Sequence, residues 1–209
     1  MQNLKQYGII PIKSATLAED LSEYKSPKDK ISSLESSGKL IRLKNGLYVV
    51  SNTVTNKNLS LELIANQLHG PSYISFESAL WYYGLIPERV YTTKSATMHR
   101  SKNYSTPLGN FQYIKVAESY FSIGLQHIIV PDEYAFLIAK PEKALCDLII
   151  STVGLRLQSI KAMREYLFED MRFDFDNIPQ WDLTIIEDCI RLGSKKNELQ
   201  FLLKILSNG

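Results

Sequence analysis

The stretch SPKDKISSLESSGKLIRLKNGLYVV, residues 26–50 of a 209-residue chain, decides the fold of the N-terminal part. Ser26 followed by Pro27 predicts a helix start, because serine caps the first backbone N–H groups and proline lacks an N–H that would stay unsatisfied there. Asp29 lies three residues past the cap, where a carboxylate favours the positive helix end. Gly38 supplies the left-handed residue that commonly ends a helix. The pattern therefore predicts a helix between Ser26 and Gly38.

Two apolar runs follow the predicted helix, at residues 40–43 and 47–50, and they are joined through Lys44, Asn45 and Gly46. The dipeptide Asn-Gly predicts a type I′ hairpin turn, because both of its central residues need a positive φ. The order of helix, glycine, strand, basic tip and strand is that of a winged helix-turn-helix.

The residues before this stretch fit the same fold. Residues 4–12 predict a short helix and an extended apolar run, and Ser14 or Thr16 can cap a second helix that carries Leu17 and Leu21. We therefore predict a winged helix-turn-helix domain over residues 1–52.

Basic and hydroxyl side chains concentrate around the predicted helix and hairpin. Residues 25–44 hold six Lys and Arg against two acids, a balance that suits contact with DNA phosphates. Helical periodicity places Ile31 and Leu34 on a buried face and the serines opposite, where short hydroxyl side chains can approach base edges in the major groove. We predict double-stranded promoter DNA as a partner, with an ordinary solvated helix face as the alternative. The predicted DNA-binding residues are Lys25, Ser26, Lys28, Lys30, Ser32, Ser33, Ser36, Lys39, Arg42, Lys44 and Asn45.

The overall composition is that of a soluble globular protein, with 44% hydrophobic and 22% charged residues and a net charge of +2. No apolar run approaches the ~20 residues of a membrane span, and no signal pattern opens the chain. Cys146 and Cys189 lie in apolar patterns typical of buried cysteines. We therefore expect a cytoplasmic protein with no membrane partner.

A polar linker is predicted at residues 51–58, and a second domain at residues 58–209. This domain alternates helical patterns with β-rich runs, and its tail from about residue 155 predicts three helices. The expected fold class is α+β, in which the winged helix precedes a mixed α/β domain with a small sheet and a helical tail. The β-rich runs are residues 90–97, 111–116, 126–130 and 133–139.

Three motifs resemble the AbiEi antitoxin family. They are SFESALWYYGL at residues 75–85, AKPEKALCD at residues 139–147 and NGLYV at residues 45–49. The resemblance covers about residues 1 to 150. Lys44 and Asn45 depart from the arginine that the family commonly carries beside the wing glycine.

This resemblance implies a transcriptional regulator from a two-gene, type IV toxin–antitoxin system. Such antitoxins bind promoter DNA through the N-terminal winged helix and repress their own operon. Their C-terminal domain is associated with countering a nucleotidyltransferase-like toxin. From the residues themselves, we expect Leu80 and Trp81 to be core side chains, because both bury a large apolar area.

Acidic residues concentrate in the tail. Residues 165–188 hold eight acids and one cation, Arg172. Such a region repels phosphates and can steer a basic protein partner, while a set of solvated helix faces is the alternative.

No catalytic or cofactor motif emerges from the sequence. His69, His99 and His127 lack metal-ligand spacing, and no phosphate-binding glycine loop or C-x-x-C is present. Asp132 and Lys140 resemble part of a restriction-type nuclease site, but Ile138 stands where the second acid belongs. We therefore expect no enzyme activity, metal or cofactor. A winged helix that contacts only proteins, and a degenerate nuclease, remain as alternatives.

Overall fold

The computed structural model describes residues 4–178 and 180–207 and shows a mixed α+β architecture. A three-stranded antiparallel sheet forms in the N-terminal part, and a six-stranded mixed sheet forms in the rest of the chain. Within the described residues, no helix combines the length and the apolar character needed to cross a membrane.

The N-terminal part carries two helices and a hairpin on one small core. A 3₁₀ turn, Leu4–Tyr7, precedes strand β1, and β1 pairs with β3 in the sheet order β1-β3-β2. The elements are β1 Ile12–Lys13, α1 Ser14–Asp20, α2 Pro27–Ser36, β2 Leu40–Lys44 and β3 Leu47–Val50. Their shared core consists of Ile12, Leu17, Leu21, Ile31, Leu34, Leu40, Tyr48 and Val50.

The predicted helix between Ser26 and Gly38 is confirmed. The Ser26 hydroxyl accepts a hydrogen bond from the backbone N–H of Asp29 at 3.3 Å. At the other end, the N–H of Gly38 donates to the Glu35 carbonyl and the N–H of Lys39 donates to the Leu34 carbonyl, both at 2.9 Å. Gly38 has φ +68°, so α2 ends in a Schellman motif that needs a left-handed residue.

The predicted hairpin is confirmed, but the prediction of a type I′ turn is wrong. Of the two turn residues Asn45 and Gly46, only Gly46 has a positive φ, +77°, and the strand register shifts between Arg42 and Lys44. This β-bulge inserts Leu43 as an extra residue, and the alternation of side chains changes face there. Lys44 consequently pairs with Leu47 and lies on the opposite face of the hairpin from Arg42.

Helix α1 begins differently from the prediction. Its N-cap residue is Lys13, and no side-chain hydrogen bond caps the helix. The expectation that Ser14 or Thr16 is the cap is therefore wrong. The backbone N–H of Ser14 instead donates to the Gly46 carbonyl at 2.9 Å, so the hairpin tip supplies the missing acceptor.

The hairpin lies between two hydrophobic cores. Tyr48 and Val50 belong to the N-terminal core, whereas Leu43, Leu47 and Val49 pack into the larger core of the remaining chain. A hairpin buried on both faces has little freedom to move relative to either core.

The larger part of the chain is built on a sheet with the order β6-β7-β5-β4-β9-β8. Strands β4 and β9 are parallel, as are β5 and β7, and the other neighbours are antiparallel. The strands are β4 Ser72–Ile74, β5 Thr92–Thr97, β6 Lys102–Thr106, β7 Gly109–Lys115, β8 Leu125–Val130 and β9 Tyr134–Ala139.

Helices surround this sheet and form the tail. Helix α8, Ile160–Glu165, continues into a π-helical turn, Tyr166–Asp170, and the three predicted tail helices are confirmed as α8, α9 (Leu183–Leu192) and α10 (Lys196–Leu206). The predicted linker contains a short helix, α3, which Ser51 caps by accepting from the N–H of Thr53. The helices are α3 Asn52–Thr55, α4 Leu61–Leu68, α5 Phe76–Tyr82, α6 Glu118–Phe121, α7 Pro141–Ser151, α8 Ile160–Glu165, α9 Leu183–Leu192 and α10 Lys196–Leu206.

The two motifs of the larger part form helices α5 and α7, which pack together. Phe76 and Leu80 are buried as expected, but Trp81 is 47% exposed, so the prediction of a core tryptophan is wrong. Successive helical residues differ by about 100° in direction, and the face that buries Leu80 therefore leaves Trp81 outward.

Helix α7 buries an ion pair. The Lys143 ammonium lies 2.9 Å from the Asp147 carboxylate, and both side chains are fully buried. Asp147 also accepts hydrogen bonds from the hydroxyls of Tyr73 at 3.0 Å and Ser75 at 2.6 Å. Since Ser75 precedes α5, these buried charges hold the two motif helices and strand β4 together.

Candidate nucleic-acid interface

An open groove of about 430 Å³ lies between α1, α2 and the hairpin. One wall comes from α1, the opposite wall from the start and middle of α2, and the floor and end from the hairpin. The lining residues are Ser14, Ala15, Ala18, Lys28, Ile31, Ser32, Arg42, Asn45, Gly46 and Tyr48.

Arg42 is held in place at the groove by two neighbours. Its Nη2 lies 2.6 Å from Oε2 of Glu35, and its guanidinium lies 5.5 Å from the centre of the Tyr48 ring. The hydrogen bond to Glu35 is the largest cause that raises the pKa of Arg42 above its ordinary value. The side chain is 46% exposed, so it keeps its charge and remains within reach of a ligand.

Four of the predicted site residues meet at this groove. Lys28, Ser32, Arg42 and Asn45 all line it, and all four are exposed. The Ser32 hydroxyl donates to the Lys28 carbonyl at 3.1 Å, which leaves its oxygen lone pairs available as acceptors. The groove thus combines two cations with amide and hydroxyl groups, which suits hydrogen bonding to both phosphates and base edges.

Ser33 and Ser36 also lie on the solvent face of α2, but they do not line the groove. They are three residues apart and exposed, so they share one helix face. Lys25 is exposed in the segment before α2, while the Ser26 hydroxyl is occupied by its capping bond. Lys39 is half-buried after the end of α2.

Two predicted cations point elsewhere. The Lys30 ammonium lies 4.6 Å from the centre of the Tyr24 ring. The Lys44 ammonium donates to the carbonyl of Leu68 at 2.5 Å, on the hairpin face that the bulge turns away from Arg42. The structure therefore does not bring Lys30 and Lys44 into the groove.

Sequence reasoning missed the partners that position Arg42. Glu35 is one of the two acids in residues 25–44, and its place next to the last residue of α2, shortly before strand β2, could have suggested a pair with Arg42. Tyr48 was assigned only to a strand. Neither contact follows from periodicity, because both depend on how the hairpin folds back on α2.

Asp132 and Lys140, the residues of the nuclease alternative, do not come together in one site. Asp132 lies in the turn before β9 and Lys140 lies just after it, so a six-residue strand separates them, on the order of 20 Å. Lys140 instead lies 3.6 Å from Asp182. Between them, Ile138 is fully buried. Over residues 4–178 and 180–207, no group of three His, Cys, Asp or Glu side chains could hold a metal ion.

Comparisons with known proteins extend the description of the fold only. No protein-family model matches the chain, and no curated protein matches it. Among solved structures, the chain is similar to the RV2827C protein from Mycobacterium tuberculosis, with a TM-score of 0.50 and 11% sequence identity, over 96% of this chain and 78% of that one. At this identity the similarity shows that the two chains share a fold, and it carries nothing about activity.

Proposed function

We propose that the protein is a sequence-specific DNA-binding transcriptional regulator that uses residues 1–52 as a winged helix-turn-helix. The supporting observation is the arrangement of α1, α2 and the β2–β3 hairpin around one basic groove. In this proposal α2 is the recognition helix, the turn before it joins it to α1, and the hairpin is the wing.

The groove and the exposed face of α2 have different tasks in this proposal. Lys28 and Arg42 bind phosphates on either side of the major groove, and they fix the register of the protein on the duplex. Ser33 and Ser36 on the exposed face of α2 approach base edges. Asn45, exposed at the hairpin tip, contacts the neighbouring backbone or minor groove.

Variants of these residues test the proposal through two different readouts. Replacing both Lys28 and Arg42 by Gln should weaken binding to every DNA sequence, because phosphate contacts carry no sequence information. Replacing Ser33 and Ser36 by Ala should instead change which sequences are preferred. Competition binding between DNA from upstream of the protein's own gene and scrambled DNA of equal length measures both effects.

A matched control removes the same charge far from the groove. Lys161 and Lys196 are exposed on the helical tail, and replacing both by Gln should leave DNA affinity within about twofold of the original protein. If the Lys28 and Arg42 variant binds as tightly as this control, α2 and the hairpin are not the DNA-binding surface.

We further propose that the regulator is the autorepressing antitoxin of a type IV toxin–antitoxin system. Support comes from the resemblance of residues 75–85 and 139–147 to the AbiEi family. The expected partner is a nucleotidyltransferase-like toxin, and the acidic segment at residues 165–188 provides a surface that can attract a basic protein. Co-expression with such a toxin from the neighbouring gene should restore growth, and continued growth arrest would contradict the antitoxin role.

A further inference from the structure

A second cluster of cations lies at one corner of the larger sheet. Strand β5 turns into β6 there, and β7 ends beside the turn, so Arg100, Lys102 and Lys115 converge. The backbone N–H of Lys115 donates to the Ser101 hydroxyl at 2.9 Å, which ties the end of β7 to the turn. We name this cluster the basic corner, comprising Lys44, His99, Arg100, Lys102 and Lys115.

The basic corner adjoins the hairpin of the N-terminal part. The Lys44 and Lys102 ammonium groups lie 5.9 Å and 4.9 Å from the centre of the same Tyr104 ring. Strand β2 therefore contacts β6 through these side chains, and the hairpin lies between the groove and the basic corner. Both basic surfaces are held in fixed relation because the hairpin packs into both cores.

Four of the five residues of the basic corner come from a segment of sequence without acidic residues. Residues 89–117 contain five Lys and Arg and one His but no Asp or Glu. Arg100, Lys102 and Lys115 are exposed, and none of them forms an ion pair with any part of the chain that the structure describes. Arg42 in the groove, by contrast, is paired with Glu35.

The neighbouring His69 lies in the electric field of the basic corner, and its pKa responds to that field. Its ring nitrogens face the Arg100 carbonyl at 3.3 Å and the Tyr104 hydroxyl at 3.5 Å. Burial is the largest cause that lowers its pKa, and the positive charges of His99, Lys102 and Lys44 lower it further. A concentration of unpaired positive charge is typical of a surface that binds anions.

We infer that the basic corner is a second phosphate-binding surface, which contacts the DNA backbone beside the sequence bound by α2 and the hairpin. This inference rests on the proposed DNA-binding function. Its ligand is duplex backbone, because the corner lies across the hairpin from the proposed DNA-binding groove, and its unpaired cations complement a duplex that presents one negative charge per ~1.7 Å of its axis. Its contacts add affinity and carry no sequence preference.

The salt dependence of binding tests the inference in the full-length protein. Replacing Arg100, Lys102 and Lys115 by Gln should reduce the slope of log affinity against log salt by about 2 to 3, since each phosphate contact contributes ~0.9. The preference for upstream DNA over scrambled DNA should not change. Lys44 is left intact, because its hydrogen bond to Leu68 also joins the two parts of the chain.

The control is a triple replacement on the helical tail, with Lys161, Arg164 and Lys196 changed to Gln. These residues are exposed and the change in net charge is the same, so any difference between the two triple variants reflects location. Thermal unfolding of both variants verifies that they are folded at the binding temperature.

The outcomes separate this inference from the proposed function. A lower slope with unchanged preference supports the second surface. If the original protein binds DNA but both triple variants keep its slope, the basic corner does not contact DNA, and the proposed function stands. If the original protein binds no duplex at low salt, both proposals are overturned.

Discussion

Lys143 and Asp147 form a fully buried ion pair, and removing one partner should destabilise the fold. Replacing Asp147 by Asn keeps the size of the side chain and an oxygen that can accept hydrogen bonds from Tyr73 and Ser75. It removes the negative charge and replaces the oxygen that faces Lys143 with an NH2 group, which cannot accept from the ammonium. The Lys143 ammonium, which is fully buried, then has no counter-charge.

The expected cost follows from desolvation. Removing one partner of a buried ion pair destabilises a protein by ~3–5 kcal/mol, because the remaining charge is left in a medium of low polarity. This is a large share of the ~5–15 kcal/mol that stabilises a typical domain. Replacing Lys143 by Met in the same variant removes the stranded charge, so the double variant should recover at least ~1 kcal/mol.

Urea unfolding at pH 7, followed by circular dichroism, measures these free energies for the original protein, the Asp147→Asn variant and the double variant. The prediction is that the double variant is more stable than the Asp147→Asn variant, because it lacks the stranded charge. A loss below ~1 kcal/mol for Asp147→Asn, or a double variant less stable than the single one, would refute the reasoning.

Three further predictions concern stability. Trp81→Ala should cost less than the ~3–5 kcal/mol of a tryptophan removed from a core, because the side chain is 47% exposed, and a loss in that range in urea unfolding would show that it is a core residue. Gly124→Ala should cost more than ~2 kcal/mol, because φ is +55° and the new Cβ would lie 2.7 Å from the Ile185 side chain. Gly154→Ala is the control, because its new Cβ meets no atom within 4 Å and should cost only the backbone strain. Equal unfolding midpoints for the two variants would contradict this prediction. The pKa of His69 is lowered in the folded protein, so as pH drops below 6.5 the unfolded chain takes up this proton before the folded one, and the free energy of unfolding should fall. His69→Gln should show a weaker fall. Parallel curves of stability against pH for the two proteins would contradict this prediction.

The ends of α2 were predictable from sequence because their causes are local. Ser26, Pro27 and Gly38 act on backbone groups within four residues of themselves, and the structure keeps each in its predicted place. The turn type was not predictable, because the bulge at Leu43 accompanies the packing of that side chain into a core made by distant residues. For the same reason, the bulge places Lys44 on the hairpin face opposite Arg42, which the sequence did not predict.

Strands β4 and β6 were also missed for physical reasons. Strand β4 has three residues, too few for a period-2 pattern, and β6 is an edge strand whose sequence KNYST has little apolar alternation. The charged pair in α7 was missed because Lys and Asp are rarely buried, and only the meeting of α5, α7 and β4 provides its partners. The family resemblance drew attention to residues 139–147, but it did not predict the ion pair within them.

The candidate site also has parts that were predictable from the sequence and parts that were not. Composition and helical periodicity suggested the exposed face of α2, and the structure places Lys28 and Ser32 in the groove. The basic corner was missed because overall charge hides it, although the absence of acids from residues 89–117 is visible in the sequence. Its link to the hairpin through Tyr104 depends on tertiary structure.

The most direct test of the central claim is a salt titration of binding between the full-length protein and DNA from upstream of its own gene, with scrambled DNA as competitor. We predict tight binding that survives the competitor and weakens as salt rises, with a log–log slope of about −4 to −5 or steeper. Absence of binding at low salt, or equal binding to both DNAs, would contradict a sequence-specific regulator.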